Sequence, residues 1–326
     1  MAATQNNVSG AYSYVNYGYE ATYGAGAVSA RTFGHGVKVT TTRRNNMERI
    51  HSLGARNAQA TAALKYEGTT SVEFVMANAS FFRAVLGAVA DLGAGPYTHT
   101  YTEANTLPSF AIDTGTELGT ADEVTELKGC MANTCTLTST TGETIKVRLE
   151  CPYQNETLAT TGIGSQVTET FDVFTFAHGS LQLPSGSTIG EVQSFELTMN
   201  NNLESVYGLG ARQLVSQVAK IRQYDIRMTV TFKDVTQLLE KFYGDTTGPT
   251  TVNTPAAQAT LILTFTNGLA TTNLRSIVMT FANIYLNEDT LPKDVNEVIK
   301  EDVTGWAHSC TSVVWSNNTA VDIGNP

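Results

Sequence analysis

Cys130 and Cys135, with four residues between them, are the pair whose type and spacing come nearest to metal chemistry. Two thiolates at such a separation can occupy two corners of a tetrahedral zinc site, but a second ligand pair must supply the others. Cys151 and Cys310 are remote in sequence and could approach only by folding, so the four cysteines read as free, buried thiols of a reducing compartment. Gly24-Ala25-Gly26 begins like a dinucleotide-binding turn, yet Ser29 occupies the place of the third glycine. His35, His51, His99, His178 and His308 are scattered singly among Gly, Thr and Ser, which reads as loop positions. Asp122-Glu123 and Glu288-Asp289 read as solvated turns rather than an acid–base pair. The sequons at Asn78, Asn155 and Asn317 are a chance product of an Asn/Thr/Ser-rich chain. These residues imply no enzyme, no cofactor and no metal.

A second group of polar residues repeats. Residues 45–56 read NNMERIHSLGAR, and residues 201–212, each 156 positions later, read NNLESVYGLGAR. Seven of the twelve positions are identical, and Met47/Leu203 and Ile50/Val206 are conservative changes. Arg43, Arg44, Asn45, Asn46, Glu48 and Arg56 in one copy face Asn200, Asn201, Asn202, Glu204 and Arg212 in the other. Such residues are costly to bury unpaired. A long polar loop present in both halves therefore points to a surface that contacts a partner.

The elements that position these loops also repeat. Strands are expected at Val37–Thr42 and Ser194–Met199 before the loops, and at Ser109–Thr114 and Thr260–Thr266 further on. Ile145–Cys151 alternates apolar and charged residues behind a Thr141-Gly142 turn, as a half-buried strand does. Apolar residues three and four apart predict short helices near Asn78–Val89, capped by Asn78 or Ser80, and near Asp234–Phe242, with Gly87 and Gly244 as the residues that end them. Pro152–Gln166 is short of apolar residues and reads as the junction between two domains, 1–155 and 156–326, each with its own core.

Composition agrees with a β-rich protein. The chain has 326 residues, 41% of them hydrophobic and only 15% charged, with the polarity carried by Thr, Ser, Asn and Gly. A net charge of −10 excludes wrapping of nucleic acid by counterion release. The polar start shows no secretory signal, and no apolar run is long enough for a membrane helix.

Three stretches carry a resemblance. Val192–Arg212 (VQSFELTMNNNLESVYGLGAR), Gly129–Tyr153 (GCMANTCTLTSTTGETIKVRLECPY) and Glu20–Gly24 (EATYG) resemble tail tube, or major tail, proteins of tailed bacteriophages and archaeal viruses. The resemblance implies a mainly β fold, a β-sandwich flanked by a helix, whose strands join an inter-subunit β-barrel. It implies a structural virion protein whose rings stack into a hollow tube conducting DNA during ejection without gripping it. Implied partners are further copies of the chain and other tail proteins such as the tape measure, the terminator and the baseplate or tip. The implied location is the virion tail, after synthesis in the host cytoplasm. Many relatives form hexameric rings of one fold per chain; a chain with two implies a trimer with pseudo-sixfold symmetry. The alternatives are a tube or tail-end ring of a contractile injection system, separable by particle length, and a glycan-binding β-sandwich module, separable by its monomeric state.

Overall fold

The computed structural model describes residues 10–92, 97–117, 122–163, 168–183, 188–189, 191–231, 242–243, 259–269, 274–295 and 298–317. The protein is mainly β, as its Thr-rich alternating segments require. A four-stranded sheet holds β1 (Ser13–Tyr19), β8 (Phe110–Thr116), β9 (Glu123–Cys130) and β12 (Asn155–Ala159) in that order. A larger sheet begins at β2 (His35–Arg44) and continues through β5 (Glu67–Val75), β11 (Lys146–Tyr153) and β10 (Thr134–Thr140). It runs on through β14 (Val192–Asn200), β17 (Gln223–Thr231), β20 (Lys300–Asn317), β19 (Ser276–Thr290), β18 (Ala259–Thr266) and β13 (Gly179–Gln182). β6 (Gly87–Leu92) and β7 (Tyr97–Glu103) join it through the far half of β20. Two hairpins stand apart, β3 (Met47–Ile50) with β4 (Ala60–Ala63) and β15 (Glu204–Tyr207) with β16 (Leu214–Val218).

One strand order occurs twice. β9 and β10 run on into each other and fold back on β11 and β12, as the long β19 folds back on β20. Read so, the first order is β1, β8, β9/β10, β11/β12, β5, β2, and the second is β13, β18, β19, β20, β17, β14. Registers agree too. Arg44 pairs with Glu67 as Asn200 pairs with Gln223, and Glu48 with Ala62 as Glu204 with Val218, each partner 156 positions on.

Alternation sends one side of each strand inward. Val72, Phe74, Leu137, Val147, Leu149, Leu197, Ile226 and Val303 are buried, and their neighbours face solvent. A single apolar cluster runs through both sets of strands, where the sequence reading gave each half its own core. The reason is that β14 pairs with β10 and carries the sheet across. Nor is Pro152–Gln166 a bare linker: β11 extends to Tyr153, and β12 pairs with β9. Their side chains alternate too weakly in hydropathy to announce a strand.

The first expected helix is shorter than its apolar spacing suggests. Only Phe82–Leu86 form α1, and Val89 lies in β6. Gly87, at φ 111°, turns the chain where a Cβ would sit 2.7 Å from the Ala104 Cβ. Asn78 Oδ1 accepts from the Ser80 N–H and hydroxyl instead of capping the helix. Phe81 and Phe82 plug the core against Phe74 and Tyr101. Of the second expected helix, Phe242 is helical, together with Tyr243 after it, and the rest lies outside the described residues.

Asp113, buried on β8, accepts from the Ile163 N–H, and burial raises its pKa to about 6. An unfolded aspartate titrates near 3.9, so the folded state binds the extra proton between about pH 4 and 6 and loses stability as pH rises through that window. We expect Asp113→Asn to melt a few degrees higher than the parent at pH 7, with the gap closing at pH 4. A parent and variant that melt in parallel across pH 4–7 would contradict this.

Candidate functional site

Both polar loops are β-hairpins, not irregular loops, and each turns out of the sheet at an asparagine with a left-handed backbone. Asn46 has φ 42° and Asn202 φ 47°. Asn tolerates that region because its short amide can bond locally. Asn46 Nδ2 donates to the Lys65 carbonyl (3.1 Å) and Glu67 Oε2 (2.9 Å). Asn202 Nδ2 donates to the Ile221 carbonyl (2.7 Å) and Gln223 Oε1 (3.1 Å), the positions 156 residues on. Each tip then turns at a glycine of positive φ, Gly54 at 83° and Gly210 at 88°, beside a fully exposed leucine, Leu53 or Leu209.

The structure separates the two sets of polar residues by environment. Asn201 is buried, with Nδ2 donating to the Val85 (3.0 Å) and Ala132 (2.9 Å) carbonyls and Oδ1 accepting from Arg222. Its counterpart Asn45 is exposed and accepts from Arg212 Nη2 at 3.1 Å, which brings the bases of the hairpins together. Arg43 pairs with Glu156 at 2.6 Å, Glu204 with Lys220 at 3.1 Å, and Asn200 Oδ1 accepts from the Asn202 N–H. Arg44, Glu48 and Arg56 are exposed. Sequence reasoning missed Gln217, whose Nε2 fastens β16 to the Gly129 (3.0 Å) and Pro152 (3.2 Å) carbonyls. It also missed Asn133, which receives the Asn201 and Leu203 N–H groups. A lone amide between Ser216 and Val218 was the only signal for Gln217.

The solvent face of the large sheet is a polar field. Thr40, Thr42, Thr69, Thr134, Thr136, Thr138, Thr198 and Thr304 stand on it, with Lys38, Arg44, Lys146, Arg148, Arg227 and Lys300 among Glu67, Glu73, Glu150, Glu196, Asp225, Glu288 and Asp302. Bases and acids are interleaved: Arg148 lies 2.8 Å from Glu150, Lys38 lies 3.5 Å from Glu73, and Glu196 stands opposite Arg227. Two shallow clefts on this face match each other. One, of about 360 Å³, is lined by Thr40, Thr42, Thr69, Asn133 and Glu150; the other, of about 300 Å³, by Glu196, Thr198, Asp225, Asn287 and Thr304.

The remaining candidates for chemistry are structural. Gly24 and Gly26 form a turn around Glu20, whose carboxylate accepts from the Gly24, Gly26 and Gly129 N–H groups at 2.9–3.0 Å. All four cysteines are free and buried, and burial pushes their thiols up, Cys310 to about 12. His35, His99 and His308 lie in strands rather than loops, His99 buried against Asp91 at 2.7 Å. Glu288 and Asp289 lie in β19 rather than a solvated turn, because the β19–β20 ladder continues past them. Among the described residues, no three His, Cys, Asp or Glu side chains converge as a metal site would require. No helix among them is long and apolar enough to cross a membrane.

A continuous sheet with one wet, threonine-rich face and two projecting hairpins places the chain among mainly β proteins. A model of the phage tail tube protein family matches residues 10–305, nearly the whole chain. The chain belongs to that family, the structural proteins of the phage tail tube. No curated protein matches it.

Proposed function

We propose that the chain is a tandem duplication of the tube fold, and that three copies close into a ring whose stacking forms a DNA-conducting tail tube. The observation that carries this reading is the repeated strand order with its shared register at 156 positions. On this reading the first unit keeps β12, which pairs with β9, so the proposed boundary falls beyond that strand rather than at residue 155.

Within the chain the units already meet as ring neighbours would, edge strand β14 against β10. Each chain offers eight strands to a common wall: β2, β5, β11, β10, β14, β17, β20 and the end of β19. Three chains give 24 strands, at roughly 4.8 Å spacing and a tilt near 40° a barrel about 48 Å across the backbones. Such a barrel encloses a water-filled channel wide enough for a DNA duplex. The wet face is its lining, because the opposite face is committed to the core. Arg43–Arg56 and Asn200–Arg212 reach neighbouring subunits and rings, and the tape measure, terminator and baseplate or tip proteins meet the tube at its ends. The chain acts without catalysis or cofactor.

Native mass spectrometry of assembled protein should show three chains per ring, with long tubes in electron micrographs. Six chains per ring would refute the trimer while leaving the tube assignment intact, and single rings that never stack would favour a tail-end ring.

A further inference from the structure

β14 is the outermost strand of its set, yet inside the chain its edge is covered. Cys135 stands opposite Met199 and Thr136 opposite Thr198. Asn133 and Gln217 hold the adjoining loop and hairpin in place. The counterpart of β14 is β2, which ends the sheet with its outer edge unpaired by any described strand.

The counterpart of β10 follows from the ladders. Leu149 pairs with Val72 as Val303 pairs with Met228, and Cys135 pairs with Leu149 as Asp289 pairs with Val303. The same correspondence takes Gly129, at φ 66°, to Asn283, at φ 56°, and Asn133 to Asn287. The strand that answers to β10 is therefore the end of β19 and the residues after it. β18 stops pairing with β19 at Ile284, and among the described residues no strand lies on that side from Tyr285 onward. Both halves of a second seam are present in the chain, with six strands between them.

We propose that β2 of one copy pairs antiparallel with residues 288–294 of the next copy, Arg44 opposite Glu288, Arg43 opposite Asp289, Thr42 opposite Thr290 and Lys38 opposite Asp294. This rests on the ring reading above and names its contact. The register is the β10–β14 register carried over, and it places three basic side chains opposite three acidic ones without adjustment. Opposite charges facing each other across a ladder stabilise it, and like charges destabilise it.

The acidic half is built to receive a cation. Glu301 is buried beside Asp289, and the Oδ1 atom of Asp289 is shielded from solvent with no hydrogen-bond partner. Burial raises the pKa of both carboxyls, and for Glu301 the neighbouring Asp289 charge adds to it. The Arg43 guanidinium, held by Glu156 within the single chain, would exchange that carboxylate for these two when the seam forms. The hairpin follows the strand: β3–β4 carries exposed Met47 and Ile50, and the place it would cover holds exposed Trp306 stacked on Tyr285 at 6.0 Å.

The test joins a cross-link to a charge exchange. In a chain carrying Thr42→Cys and Thr290→Cys, mild oxidation of assembled protein should give covalent oligomers ending at a closed trimer. The native cysteines are buried and should stay silent. Thr41→Cys with Thr290→Cys, on opposite faces, should cross-link at least tenfold more slowly. Arg44→Glu should weaken association about tenfold or more, and adding Glu288→Arg should restore most of it. Tubes that form without the cross-link, and that Arg44→Glu leaves unaffected, overturn this seam while the ring reading stands. A folded chain that stays monomeric at every concentration overturns both.

Discussion

Shortening the β3–β4 turn, residues 51–58, to two glycines should leave a folded chain whose rings no longer elongate into tubes. The turn holds no core residue, and Leu53 is fully exposed at its tip. Leu209 occupies the matching place on β15–β16, with Gly210 at φ 88° against 83° for Gly54. A leucine presented to water at a hairpin tip, twice in one chain, is what the proposed ring–ring contact would cover. Burying such a side chain is worth about 2 kcal/mol, so the three Leu53 tips of a ring of three contribute about 6 kcal/mol to each ring–ring junction. Losing them weakens stacking about ten-thousandfold. The deletion leaves untouched Asn45, Leu64 and Tyr66, the residues on which Arg212 leans, so the monomer should melt within a few degrees of the parent. Melting curves and electron micrographs decide the matter. Tubes of normal length from the shortened chain would make the tips ordinary surface turns.

The repeat was legible because its residues do local work that their types alone suggest. Asn46 and Asn202 carry a left-handed backbone, and Gly54 and Gly210 carry the tip. Strands with strict alternation, such as β11 and β14, could be placed within two or three residues. What escaped was whatever depends on distant pairing. β12 has no apolar rhythm because it is held by β9, and β3 (MERI) is exposed at every position. The helix was overextended because Val89 continues a helical spacing while Gly87, crowded by Ala104 and Thr106, ends the helix two residues earlier.

The polar residues of the loops could be picked out, but their separate roles could not. Asn45 and Asn201 hold the same place in the repeated motif, yet one is exposed and the other buried under β10 and α1. The difference lies in the neighbour: the second copy has the first beside it in the same chain. Asn133 and Gln217 were invisible for the same reason, since nothing local marks an amide that fastens segments 65 or more residues away.

If the chain forms the proposed tube, adding positive charge to the wet face of the sheet should turn a passive conduit into one that grips DNA. That face carries bases and acids in near balance, and its bases lie beside acids, as Arg148 lies between Glu73 and Glu150. A phosphate backbone approaching such a lining finds paired charges and threonine hydroxyls, with few free cations from which to release counterions. Replacing Glu150, Glu196 and Asp225 by lysine changes the lining by six charges per chain. These side chains are exposed and their pairs contribute little to stability, so the fold should survive. In the proposed ring of three the variant would present nine new cations around one channel, and their potentials would add if all face the same lumen. With 6–10 phosphates contacted, binding should fall about 10³- to 10⁵-fold between 50 and 200 mM salt. We therefore expect the parent tube to release DNA freely at 50 mM salt, and the variant tube to hold it there and release it as salt is raised. Salt-sensitive retention by the parent tube would mean that the lining grips its cargo, and the wet face would then have to be read as a binding surface.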